Sequence, residues 1–198
     1  MSAMKGLDNM KEQDKDIIGE VMNISMGAGA NALAMLLMKT CYITTPNVTV
    51  ISREELSNSP EDDSMLVKIR FTKGVDGMNL FTLKKKDMSV IMGTMMGMEM
   101  EIEEFDEMSS SAACEIMNQM MGSSATALSQ FFDTVVDIST PESYVVKERS
   151  GLQQYFDLDD DMIVCVEFKL MIRNTLETTF KVYLDQSIAD KLVERCKR

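Results

Sequence analysis

Glu20-Val21-Met22-Asn23-Ile24-Ser25-Met26-Gly27 and Glu115-Ile116-Met117-Asn118-Gln119-Met120-Met121-Gly122 share the pattern Glu-x-x-Asn-x-x-x-Gly at an offset of 95 residues. The register extends outward from both copies without a gap. Ala30, Ala32 and Leu33 align with Ala125, Ala127 and Leu128, and Ile43, Thr45 and Pro46 align with Ile138, Thr140 and Pro141. A match held from a helical pattern through to the following proline marks an internal duplication.

Downstream the halves stay alike while the offset drifts. Met65-Leu66-Val67-Lys68-Ile69-Arg70-Phe71 matches Met162-Ile163-Val164-Cys165-Val166-Glu167-Phe168, and both runs suit strands. A second strand is expected near Met78 to Leu83 and near Thr175 to Leu184, and a closing helix near Lys85 to Met98 and near Gln186 to Cys196. Each half therefore reads helix, strand, strand, strand, helix. The expected fold is a single α/β domain with pseudo-two-fold symmetry, a largely antiparallel sheet packed by two long helices. Half-repeats of about 16–98 and 111–198 leave an acidic connector over 99–107 and a polar, flexible tail over 1–15. The connector's last carboxylates favour the positive start of the next helix, and Ser109, Ser110 and Ser111 are candidate caps for it.

Composition narrows the chemistry. The 198 residues carry 32 Asp and Glu against 20 Lys and Arg, a net charge of −12. Phosphate backbones and anionic membranes both require basic clusters that this chain lacks, so nucleic acid is excluded as a partner and a protein partner is favoured. No apolar run approaches the roughly 20 residues that span a bilayer, so no membrane insertion is expected. Histidine is absent, which removes Ser-His and Cys-His nucleophiles and His-based zinc sites. Cys41, Cys114, Cys165 and Cys196 are scattered without a Cys-x-x-Cys pair. With no secretion signal at the start, they read as reduced thiols in a cytoplasmic protein.

Other signals are weak. Gly27-Ala28-Gly29 lacks the third glycine of a dinucleotide loop and lies within a helical pattern. Asp157, Asp159, Asp160 and Asp161 fail the calcium-loop pattern, with Met162 where Gly is needed and Phe168 where Glu is needed, and read as a solvated loop. Most of the 21 methionines read as core filler, with Met92, Met95, Met96 and Met98 as candidates for an adaptable binding surface.

At 100° per residue, Ile18, Val21, Met22, Ala32, Leu33 and Leu36 fall on one side of the first long helix and are expected to pack on the sheet. Asp16, Glu20, Asn23, Gly27, Ala30, Asn31 and Ala34 fall on the other. The second copy places Ser111, Glu115, Asn118, Gly122, Ala125, Thr126 and Ser129 on the equivalent face. A mid-helix glycine costs about 1 kcal/mol relative to alanine, and asparagine is a poor helix former. Both recur at one spacing beside small residues. One reading is a docking face with two reaching side chains. The plainer reading gives Gly27 and Gly122 to packing between the two helices, and shared ancestry alone also accounts for the recurrence.

These motifs, Glu20 to Gly27 with Ile43-Thr44-Thr45-Pro46 and Glu115 to Gly122 with Ile138-Ser139-Thr140-Pro141, resemble those of the CheC/CheX/FliY phosphatases. Those proteins act on the phosphorylated chemotaxis response regulator CheY. The wording of the motifs is similar to the FliY phosphatase domain, whereas a chain that ends at Arg198, straight after its last helix, is similar in architecture to free-standing CheC. The resemblance implies catalytic roles for Glu20, Asn23, Glu115 and Asn118: each asparagine would orient a water, and each glutamate would engage the partner's active-site lysine. Both sites match the motif, unlike CheX with one site per subunit, or FliM-type switch proteins that lack the pairs. The implied cofactor position is that this chain binds none and that Mg²⁺ sits on the partner regulator. CheD and flagellar switch proteins are further implied partners, with a location at the switch. A non-catalytic adaptor is the alternative function.

Overall fold

Pro46 and Pro141 cannot donate to a ladder, and each splits what the sequence presents as one strand into two. The computed structural model describes residues 10–58, 63–97, 106–146, 154 and 162–197. Its first half runs α1 (Glu12–Leu37), β1 (Cys41–Ile43), β2 (Asn47–Ser52), α2 (Arg53–Ser57), β3 (Ser64–Lys73), β4 (Gly77–Lys84) and α3 (Lys85–Met96). The second runs α4 (Glu107–Phe131), β5 (Asp137–Ile138), β6 (Glu142–Val146), β7 (Met162–Ile172), β8 (Leu176–Asp185) and α5 (Gln186–Cys196). Each half thus has four strands where three were expected. The break is the same in both copies. Between Ile43↔Leu170 and Asn47↔Glu167, four steps along one strand oppose three along its partner, and the same holds between Ile138↔Phe71 and Glu142↔Lys68. This is a one-residue bulge at each proline.

The eight strands form one antiparallel sheet in the order β1-β7-β8-β4-β3-β5, with β2 also on β7 and β6 also on β3. The first half therefore lends β1 and β2 to the second half's β7, and the second lends β5 and β6 to the first half's β3. At the centre, β4 pairs with β8 through Phe81↔Val182. These two residues are separated by the same 101 positions as Lys85 and Gln186, the first residues of α3 and α5, so the pseudo-two-fold axis passes through this pair. Pairing of Ile43 with Leu170 and of Ile138 with Phe71 makes Leu170 the counterpart of Phe71. The sequence alignment gives that place to Phe168, two residues earlier. An even slip leaves every side chain on its expected face.

That face carries the main core. Val67, Ile69 and Phe71 on β3 and Val166, Phe168 and Leu170 on β7 are buried beneath the helices. The Phe168 and Phe180 rings stack at 5.0 Å and those of Phe180 and Phe81 at 4.8 Å, a row across the middle of the sheet. A smaller cluster, including Leu66, Leu80, Ile163 and Tyr183 with Leu56 of α2, fills the opposite face. The capping box of Ser52 and Glu55 starts α2, which the sequence reading had not identified.

Four expectations shift. The first helix starts at Glu12, ahead of the boundary at Asp16, while residues 1–9 lie outside the described residues. The second long helix is capped by Asp106, which accepts from the Ser109 N–H and hydroxyl, and not by Ser109, Ser110 or Ser111. Those two hydrogen bonds hold the Asp106 carboxyl below its ordinary value. Ala30 and Ala125, expected on the outward face, are buried, and Ala32 and Leu36, expected on the sheet side, are half-buried. The cause is that α1 and α4 pack on each other as well as on the sheet, so each buries a second stripe. Of the methionines proposed as a binding surface, Met92 is core, Met96 is exposed, and Met98 lies outside the described residues, as do Asp157 and Asp159 to Asp161.

The helix contact runs through Gly29. A Cβ there would lie 2.9 Å from the Ser124 Oγ and 3.2 Å from the Met120 carbonyl oxygen, whereas a Cβ at Gly27 or Gly122 would meet nothing within 4 Å. Gly29→Leu is expected to lower the unfolding free energy by about 2–3 kcal/mol, and Gly27→Ala to raise it by about 0.5–1 kcal/mol. Urea denaturation measures both; a destabilised Gly27→Ala would contradict the open-space assignment.

Candidate functional site

Glycine 29 and Ser124 are counterparts in the repeat, so their contact places the same axis between α1 and α4. The helices run antiparallel, because Ile17, Glu20 and Val21 near the start of α1 share a cleft with Phe131 and Phe132 at the end of α4. The outward face of the pair then carries Glu20 and Asn23 on one side of the axis and Glu115 and Asn118 on the other. All four side chains are exposed. Within each pair the spacing of three residues brings the Cβ atoms to about 5–6 Å. Asn23 lies six residues from Gly29 and Asn118 six from Ser124, on opposite sides of the crossing, and at about 1.5 Å per residue the two pairs are well over 10 Å apart. The structure therefore brings together each Glu with its own Asn, and keeps the two pairs separate.

Gly27 and Gly122 open this face, which removes the reading that they serve packing between the helices. Asp16, Asn31, Ser111 and Thr126 also face outward. Ser129 has a structural task instead: its Oγ donates to the Ala125 carbonyl at 2.8 Å and accepts from the Val136 N–H at 2.9 Å, fixing the exit of α4.

The surroundings of the two pairs differ. Glu20 borders a cleft of about 580 Å³ closed by Phe131, Phe132, Asp133, Arg195 and Cys196. Arg195 donates to the Gly74 carbonyl at 2.7 Å and lies 5.7 Å over the Phe132 ring, which ties the end of α5 to the β3–β4 turn and to α4. Burial first, and then the Glu20 carboxylate, push the Cys196 thiol up. It is therefore held protonated and is a poor nucleophile at neutral pH. At the second pair, Gln119 donates from Nε2 to Glu115 Oε1 at 2.8 Å. Sequence reasoning missed both environments. The return of α5 to α1 leaves no local trace, whereas the spacing of four between Glu115 and Gln119 was a readable signal.

Among the described residues, no group of three or more Cys, Asp or Glu side chains is placed to ligate a metal ion. No helix among them is long and apolar enough to cross a membrane. A smaller cavity of about 210 Å³, lined by Asp14, Val50, Met162 and Asp190 among others, contains neither Glu–Asn pair.

The model of the CheC-like family matches residues 14–50 and again 108–145, the two stretches that carry α1 and α4. The crystal structure of FliY from Thermotoga maritima is 32% identical, with a TM-score of 0.87, covering 96% of this chain and 98% of that one. This chain belongs to the CheC-like family. Its likeness to the flagellar motor switch phosphatase FliY of Bacillus subtilis is 35% identity over 191 residues, 94% of this chain, and the chain spans about half the length of that relative. The CheY-P phosphatase CheC of the same organism is 28% identical over 145 residues, 70% of this chain and 69% of CheC. The repeated family match independently marks the duplication, and the expected fold class holds.

Removing the Glu20 charge should lower the Cys196 pKa and raise its thiolate fraction. Glu20→Gln is expected to speed alkylation of Cys196 by iodoacetamide at pH 8, followed by peptide mass spectrometry. An unchanged or slower rate would contradict the proximity of α5 to the first Glu–Asn pair.

Proposed function

We propose that this chain is a phosphatase that hydrolyses the aspartyl phosphate of the response regulator CheY at two pseudo-equivalent sites, Glu20/Asn23 and Glu115/Asn118. The observation that carries this reading is the duplicated, exposed Glu–Asn pair beside a glycine that opens to nothing within 4 Å. Without Cβ atoms at Gly27 and Gly122, another protein's surface can come close to the helix backbone beside each asparagine. The names of the FliY and CheC relatives support a phosphatase, and that of CheC supports phosphorylated CheY as the substrate.

The residue types suit the task. A carboxamide both accepts and donates hydrogen bonds, so it can hold a water through one proton and one lone pair. Phosphoryl transfer depends chiefly on placing the nucleophile in line and on electrostatic stabilisation, and a water-orienting carboxamide is a recurring device for it. Asn23 and Asn118 would each direct water at the phosphorus opposite the aspartyl leaving oxygen. Neutralisation of the phosphoryl charge falls to the Mg²⁺ carried by the regulator. Glu20 and Glu115 would pair with its lysine ammonium, which fixes the approach. The two pairs lie apart, so each would serve its own regulator molecule.

Asn23→Ala combined with Asn118→Ala is expected to reduce the accelerated hydrolysis roughly 10²-fold or more, while binding to phosphorylated CheY survives in titration calorimetry. Full activity in the double variant would refute the water-orienting role. Glu20→Ala with Glu115→Ala should instead weaken binding.

A further inference from the structure

Two candidate sites descended from one ancestor differ at the exposed position one turn after each glutamate: Ile24 stands beside Glu20 where Gln119 stands beside Glu115. The Gln119 amide donates to Glu115 Oε1 at 2.8 Å. Ile24 has no donor to offer Glu20. Arg195, across the cleft from Glu20, donates through Nη2 to the Gly74 carbonyl and lies over the Phe132 ring.

The direction of the Gln119 bond matters. Viewed down α4, Gln119 lies about 40° to one side of Glu115 and Asn118 about 60° to the other. A carboxylate drawn to Gln119 is therefore turned away from the asparagine with which it must converge on one docked aspartyl phosphate. We infer that Gln119 is a positioning residue that makes Glu115/Asn118 the weaker docking site, by holding Glu115 in a hydrogen bond that the incoming ammonium must displace. Glu20/Asn23 is then the site that dominates at low regulator concentration. This inference rests on the phosphatase reading above and adds an asymmetry to it.

The effect belongs to docking, so it should appear in KM and leave kcat near its starting value. Each site is isolated in the full chain, the second by Asn23→Ala and the first by Asn118→Ala. In the Asn23→Ala background, Gln119→Ile is expected to lower KM for phosphorylated CheY by a factor of about 1.5 to 2, the size of a helical side-chain pair expressed as an equilibrium ratio. In the Asn118→Ala background, Ile24→Gln should raise KM by a similar factor. Binding of beryllofluoride-activated CheY to the Asn23→Ala proteins, with and without Gln119→Ile and with Glu20→Ala added to silence docking at the first site, gives a readout that needs no turnover. Tighter binding on Gln119→Ile supports the inference. Unchanged or weaker binding overturns it, and weaker binding would mean that Gln119 prepares Glu115 for its partner. If the parent chain neither hydrolyses nor binds the regulator, the phosphatase reading fails and the asymmetry with it. If it does both and the Gln119 variant behaves as its parent, only the asymmetry fails.

Discussion

The close approach of α1 to α4 at Gly29 is the constraint on which the remaining structure depends. A methyl group there would press on the Ser124 hydroxyl and on the Met120 carbonyl, part of the α4 backbone. Backbone cannot rearrange as a flexible side chain can, so the residue must be small. Ser124 meets the same demand from the other side, with its hydroxyl satisfied by donating to the Met120 carbonyl. Because Gly29 and Ser124 are counterparts in the duplication, this single contact also sets the symmetry axis. Every residue at a given distance along α1 then has a counterpart at the same distance on the opposite side along α4. The two Glu–Asn pairs inherit their separation and common outward direction from that arrangement.

The sheet enforces the same symmetry by a different means. Each half completes the other's outer strands, and the halves meet at Phe81↔Val182. A half that folded alone would leave β3 or β7 without its outer neighbour, an exposed ladder that invites pairing with another chain. Duplication thus produced two interdependent halves rather than two beads. Helix contact above and strand exchange below leave the outward helix face as the region where side chains are free to diverge, and Ile24 against Gln119 is such a divergence.

Much of this was legible in the sequence. An ungapped register at an offset of 95, held from Glu20 to Pro46, requires no structural knowledge to find, and the strand runs at Met65 and Met162 carry their period openly. The outward placement of Glu20, Asn23, Glu115 and Asn118 followed from helical geometry, because a charged residue and a carboxamide tolerate solvent. What failed depended on a third body. A one-stripe wheel exposes Ala30 and Ala125, since alanine itself states no preference and only the neighbouring helix buries it. Gly27 and Gly29 look alike as letters, yet one opens to solvent and the other meets a backbone. The fourth strand of each half was hidden because a proline interruption looks the same whether the chain leaves the sheet or resumes one residue out of step. Arg195 and Cys196 reach the first pair only through the path of α5, which no local pattern announces.

The central claim is that these two exposed faces accelerate loss of phosphate from a response regulator. The direct measurement is the decay of ³²P-labelled cognate CheY in Mg²⁺, with and without this protein at substoichiometric amounts. Multiple-turnover acceleration over the regulator's own decay is expected. Decay that is unchanged by the protein, at concentrations where the two demonstrably bind, would contradict it.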